Sequence, residues 1–160
     1  MLVVPLSAFR APRSFNFPFQ PLPFARYFRV VLKVKDTLRS TVNLTFDGRV
    51  VKAYHGPNAR ERFDNEVRVL HYLEQRGCDF VPRILEADAE GLRIITSSCG
   101  SRVERIDDEK VKQLFAEVEQ YGVRHDDPDP RNITYRQSDG RFCVIDFELA
   151  TILAENGAHS

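Results

Sequence analysis

Two β-prone runs near the C-terminal end, Ile133-Thr134-Tyr135-Arg136-Gln137 and Arg141-Phe142-Cys143-Val144-Ile145, are separated by the turn-forming triplet Ser138-Asp139-Gly140. Aspartate and glycine adopt the backbone conformations a short turn needs, so the runs are predicted to pair as an antiparallel hairpin. Closing a hairpin brings its open ends together. Asn132 stands just before the first strand and Asp146 just after the second, so an amide oxygen and a carboxylate converge. Hard oxygen ligands of this kind suit Mg²⁺, which keeps several waters and takes further ligands from phosphate groups. Asp127, in the run His125-Asp126-Asp127-Pro128-Asp129-Pro130-Arg131-Asn132, is placed to face the same space. The alternative is a solvated turn, which acidic residues beside prolines commonly make.

A second hairpin signal lies upstream, where Asp47-Gly48 separates Val42–Phe46 from Arg49–Tyr54. Lys52 falls on the returning strand, inside an otherwise apolar run. Pro57-Asn58 followed by Glu61 reads as a helix start with a capping-box-like pair. The helix carries Phe63, Val67, Leu70 and Leu73 at helical spacing, and Gly77 ends it. At about 100° per residue Glu66 falls on that apolar face. An inward carboxylate needs a cationic partner, because an unpaired buried charge is costly, and Lys52 is the natural candidate. Two alternatives stay open: Glu66 borders the stripe and reaches water while Lys52 snorkels from a strand edge, and Glu74 also lies near the stripe.

Phe80–Asp88 reads as a strand entered through Pro82, Leu92–Thr96 as its partner, and Ser97-Ser98-Cys99-Gly100 as a linker. Asp107 is placed to cap a second helix carrying Val111, Leu114, Phe115, Val118 and Tyr121, with Gly122 at its end. That helix delivers the chain to His125. No second histidine has metal-ligand spacing, so His125 reads as a structural hydrogen-bonding residue.

The run H-x-D-x-x-x-x-N followed by Ile145-Asp146-Phe147 resembles the catalytic loop and metal-binding motif of the protein-kinase-like phosphotransferases. The phrase Phe63-x-x-Glu66-x-x-x-Leu70 is similar to the core of that family's helix. The resemblance spans about residues 28 to 150. It implies an α+β, protein-kinase-like fold: a five-stranded antiparallel N-lobe sheet plus one helix, and a much reduced C-lobe of one helix plus the catalytic hairpin. It implies ATP and Mg²⁺ as cofactors. Lys52, oriented by Glu66, would contact nucleotide phosphates, and Asn132 and Asp146 would hold the metal. Asp127 would be the catalytic base, and the linker at Ser98 and Cys99 the hinge that binds adenine.

The chain departs from the family pattern in three places. The loop Lys35-Asp36-Thr37-Leu38-Arg39-Ser40-Thr41 contains no glycine; Thr37, Ser40 and Thr41 hydroxyls, with Arg39, would have to replace amide contacts to phosphate. Asp129 follows Asp127 by two, where a lysine stands in serine/threonine kinases. Glu148 replaces glycine in D-F-G, a feature that resembles aminoglycoside- and choline-kinase-type enzymes. The expected activity is phosphoryl transfer to a protein Ser/Thr hydroxyl. A nucleotide-binding pseudokinase or interaction module, and a small-molecule kinase of the aminoglycoside or choline type, are the alternatives. A protein substrate, a partner supplying the missing C-lobe surface, or a homo-oligomer would complete the second lobe.

The 160 residues suit one domain, and 42% hydrophobic composition is ordinary for a globular chain. With 23 basic against 23 acidic residues there is no warrant for a nucleic-acid or membrane partner. No acidic residue precedes Asp36, and five of the nine prolines lie before it. Prolines that dense exclude a regular helix. Residues 1–26 are therefore read as a basic, proline- and phenylalanine-rich extension, 27–154 as the minimal kinase-like domain and 155–160 as a tail. Cys78, Cys99 and Cys143 lack C-x-x-C pairing, so reduced thiols and a cytoplasmic location are expected.

Overall fold

The computed structural model describes residues 30–153. The extension expected over 1–26 and the tail expected over 155–160 lie outside the described residues.

The tight turn at Asp47-Gly48 organises the first half. Gly48 sits at φ 75°, a conformation that costs glycine little, and its amide donates to the Thr45 carbonyl at 3.2 Å. The turn joins β2 (Ser40–Thr45) to β3 (Arg49–Tyr54) in an antiparallel register running from Leu44 opposite Val50 to Ser40 opposite Tyr54. β1 (Val30–Asp36) pairs outside β2, while β5 (Arg93–Ser97) and β4 (Ile84–Asp88) extend the other side. The result is a five-stranded sheet in the order β1-β2-β3-β5-β4, antiparallel at every pairing.

β4 is shorter than the expected Phe80–Asp88. Phe80 and Val81 are buried in the core, and the Phe80 carbonyl accepts the Val144 amide at 2.9 Å. That backbone is drawn to the C-terminal hairpin instead of the sheet.

α1 (Ala59–Gln75) buries Arg62, Phe63, Glu66, Val69, Leu70 and Leu73, a stripe at helical spacing. The expected capping box does not form: Asn58 is left-handed at φ 55° and its side chain caps nothing. Arg62 organises this end instead. Its amide donates to the Asn58 carbonyl at 3.0 Å, and its guanidinium reaches the carbonyls of His55 and Pro57 at 2.8 and 3.1 Å.

α2 (Asp108–Gln120) starts as expected, with Asp107 accepting the Glu109 amide at 2.8 Å. The hairpin of β8 (Ile133–Arg136) and β9 (Arg141–Val144) pairs from Ile133 opposite Val144 to Arg136 opposite Arg141. Short strands join it to its surroundings. β6 (Ser101–Arg102) pairs with β8, and β7 (Val123–Arg124) pairs with β10 (Thr151–Ile152). The second half therefore carries more strand pairing than one helix and one hairpin. The architecture is α+β: a five-stranded antiparallel sheet, two helices and two small extra sheets.

The main core lies where α1, α2 and the hairpin meet, around Leu70, Leu73, Phe80, Phe115, Ile133 and Phe147. A smaller cluster of Tyr54, Phe63 and Ile94 fixes α1 on the sheet. All three cysteines are free and buried. Among the described residues no helix is long and apolar enough to cross a membrane.

Leu73 is fully enclosed, so Leu73→Ala should lower the unfolding free energy by about 2–5 kcal/mol in urea denaturation. Leu38→Ala, at a position 90% exposed, should change it by no more than about 0.5 kcal/mol.

Candidate functional site

Lys52 points from β3 toward α1, and its ammonium meets three carboxylates. Nζ lies 2.6 Å from Glu66 Oε2, 2.6 Å from Asp146 Oδ1 and 3.1 Å from Glu148 Oε2. Burial alone would lower the lysine's pKa, but Glu66, Asp146 and Glu148 outweigh it and raise it above its ordinary value. Asp146 shows the complement. Burial pulls its carboxyl up, yet Lys52 and then Lys35, whose Nζ donates to Oδ2 at 2.9 Å, hold it well below the usual carboxylate range. Glu66 is raised by burial, against the pull of Lys52 on Oε2 and of the Tyr54 hydroxyl that donates to the same atom at 2.5 Å. Glu148 also meets Arg62 Nη1 at 3.3 Å. The cluster thus balances Lys35, Lys52 and Arg62 against Glu66, Asp146 and Glu148.

The loop after β7 is anchored by His125. Its ring packs edge-on against Phe115 and Phe147, with centroids 4.9 Å away in each case. Its Nε2 lies 2.9 Å from the Ile145 carbonyl. The partner is an acceptor only, so Nε2 carries the proton. His125 is structural, as the sequence indicated. A one-turn 3₁₀ helix, Pro130–Asn132, follows. Asp129 accepts the Arg131 amide at 2.8 Å and lies 3.7 Å from its guanidinium, so its charge is occupied within the loop. Asn132 Nδ2 donates to Asp127 Oδ2 at 3.1 Å and to the Asp127 carbonyl at 3.0 Å. The Ile145 amide donates to the Asn132 carbonyl at 2.9 Å, which ties the loop to the end of β9. There Asp146 turns the chain at φ 69°, a left-handed conformation that costs a non-glycine residue on the order of 1–3 kcal/mol and collects at functional sites.

Lys35, Lys52, Glu66, Asp127, Asn132, Asp146 and Glu148 line one cleft of about 690 Å³, walled by Val34, Val42, Leu44, Val50 and Ile94 and reaching from the β1–β2 turn to Asp127. Thr37, Ser40, Ser98 and Cys99 line it too, and some of their polar groups already have partners. Thr37 Oγ1 accepts the Ser40 amide at 3.1 Å within its own turn, and Ser40 is buried. The Ser98 amide donates to the Gly48 carbonyl at 3.2 Å, and the Cys99 carbonyl accepts the Thr134 hydroxyl at 2.7 Å. The linker lies so close to β8 that a Cβ on Gly100, at φ 90°, would stand 2.0 Å from the Tyr135 carbonyl oxygen.

The cleft's volume is within the range of small-molecule and cofactor sites. Glu66, Asp146 and Glu148 bring oxygen atoms within 4.8 Å of one another, but Lys52 already occupies the centre of that triangle. The candidates for a divalent ion are Asn132 Oδ1, which has no hydrogen-bond partner among the described residues, and Asp146, whose two oxygens already accept from Lys52 and Lys35.

The structure therefore brings Lys52, Glu66 and Asp146 into direct contact and sets Asp127 against Asn132. Glu74 is excluded as the lysine's partner; it pairs with Arg83 at 3.0 Å on the surface. The sequence reading missed Lys35, Tyr54, Arg62, Arg131 and Glu148. Three carried a signal: Tyr54 is two residues from Lys52 on one strand face, Arg62 four from Glu66 on one helix face, and Glu148 two from Asp146. Neither protein-family models nor curated proteins match this chain.

Lys52→Met would leave three carboxylates facing one another. It should cost about 3 kcal/mol or more at pH 7, as expected when one partner of a buried pair is removed. A depressed carboxyl such as Asp146 contributes stability above its unfolded pKa of about 4 and loses it as the pH falls through the lower folded value. The gap between wild type and variant, read from urea midpoints, should therefore shrink as the pH drops through the carboxylate range.

Proposed function

We propose that the protein is an ATP- and Mg²⁺-dependent phosphotransferase of protein-kinase-like fold. The observation that carries this reading is the contact of one buried ammonium, Lys52, with both Glu66 and Asp146 at 2.6 Å. These side chains come from a strand, a helix and the end of a hairpin, and a buried charge network of that kind is a poor source of stability. Perturbed ionisable groups gathered in a cleft are the usual signature of a working site.

In this reading Lys52, fixed by Glu66, lies against the α- and β-phosphates, and Asn132 and Asp146 hold the metal. Bound magnesium–ATP supplies the transferable phosphoryl group and the metal charge that neutralises it. Asp127 orients, or takes the proton from, the attacking hydroxyl. Its side chain is 33% exposed, so a hydroxyl can approach from outside the cleft. That access favours a protein Ser/Thr side chain over an enclosed small alcohol. Glu148 matches the I-D-F-E pattern of small-molecule kinases, but here its carboxylate is used by Lys52 and Arg62.

One observation favours a second reading, a nucleotide-binding pseudokinase. Arg131 Nη2 donates to both oxygens of Asp127, at 3.1 and 2.9 Å, and this contact is the first cause of a lowered Asp127 pKa. An acceptor hydroxyl would have to displace it.

Wild-type protein should gain thermal stability in a titration with ATP and Mg²⁺. Labelled phosphate from ATP should then reach a Ser/Thr-containing protein, with Asp127→Ala about a hundredfold slower or worse. ATP stabilisation without any transfer would establish the pseudokinase reading, and transfer undiminished in Asp127→Ala would refute the assignment of the base.

A further inference from the structure

The β1–β2 turn overhangs the cleft where phosphates would lie, yet it has no glycine to bring amides close to them. Two of the hydroxyls around it are already engaged. Thr37 Oγ1 accepts the amides of Arg39 and Ser40 at 3.2 and 3.1 Å and donates to the Ser40 carbonyl at 3.2 Å. The Thr41 hydroxyl donates to Asp36 at 3.1 Å and lies 3.2 Å from His55 Nε2. Two of the donors expected to replace glycine amides, the Thr37 and Thr41 hydroxyls, are therefore already engaged.

Lys35 is placed differently. From β1 its Nζ crosses the cleft to Asp146 Oδ2 at 2.9 Å, while Lys52 holds Oδ1 at 2.6 Å. Two ammonium groups thus bracket one carboxylate. Lys52 is fixed at the back, with its side chain 8% exposed, whereas that of Lys35 is 40% exposed at the mouth. Lys33, on the same strand, is turned away and pairs with Asp36 at the surface.

Resting on the phosphotransferase reading, we infer that Lys35 is a second phosphate-binding lysine that takes the place of a glycine-rich loop. Were Asp146 to hold a divalent ion, Lys35 would lose its present partner, and its ammonium at the mouth of the cleft would be available to phosphate oxygens. An ammonium carries three donors on a flexible stem and needs no close approach of backbone. Phosphate would thus be recognised from β1 by charge, not by shape.

The test is calorimetric titration of the full chain with ATP plus Mg²⁺, and separately with adenosine, for wild type, Lys35→Ala, Lys35→Arg and Lys33→Ala. Hydrogen bonds to charged groups are strong enough that Lys35→Ala should weaken ATP binding about tenfold or more. Adenosine binding should be unchanged, which also verifies an intact fold. Lys35→Arg should retain most of the ATP affinity, and Lys33→Ala should match wild type. Equal ATP affinity in Lys35→Ala and wild type overturns the inference alone. So does parallel loss of ATP and adenosine, which would mark Lys35 as structural, or equal weakening by Lys33→Ala, which would mark a diffuse charge effect. Failure of wild type to bind ATP overturns the phosphotransferase reading itself, and this inference with it.

Discussion

A lysine ammonium stripped of water stays charged only if carboxylates come to it, and at Lys52 three do. Glu66 arrives from α1, and Asp146 and Glu148 from the segment after β9. That requirement sets the placement of the pieces. α1 must turn its Glu66 face toward β3, and the hairpin must end beneath the sheet, or a charge is left buried and unpaired at a cost of several kcal/mol. A rotated α1 would take Glu66 away from Lys52 as well as disturb the enclosed Leu70 and Leu73.

Arg62 is the second hub, and it connects the network to the lid. Its guanidinium donates to the Arg39 carbonyl in the β1–β2 turn, to His55 and Pro57 before α1, and to Glu148. The turn over the cleft, the start of α1 and the segment after Asp146 thus share one cation. Asn65 strengthens the same junction by donating to the carbonyls of Glu148 and Ala150 at 3.2 and 2.8 Å. Below, the His125 ring packed against Phe115 and Phe147 gives the exposed Asp127 loop a rigid base. A partly exposed carboxylate on a packed scaffold suits the proposed chemistry, whose rate would depend on positioning.

Particular residues show where reading the chain succeeded and where it failed. The Asp47-Gly48 and Ser138-Asp139-Gly140 turns were legible because turn chemistry is local. The Asp107 cap formed as read, but the Asn58 cap did not, because Arg62 organises that helix start from within. The strand expected from Phe80 begins only at Ile84, because Phe80 and Val81 have a better apolar environment beside the hairpin. The hydroxyls of Thr37 and Thr41 have the right composition for anion contacts, but their own turn consumes them. Lys35 carried no sequence signal beyond being a lysine near that turn.

By itself the sequence determined the two helices, both hairpins, the helical stripe of α1 with Glu66 on or beside it, and the meeting of the second hairpin's ends at Asn132 and Asp146. Each follows from backbone period or turn chemistry within about twenty residues. Only the tertiary structure decided that Asp146 joins Glu66 at Lys52, that Glu148 and Arg62 complete the charge balance, and that Lys35 reaches Asp146 across the cleft. Those pairings join residues far apart in the chain. They are selected by the need to neutralise buried charge, which no local pattern encodes.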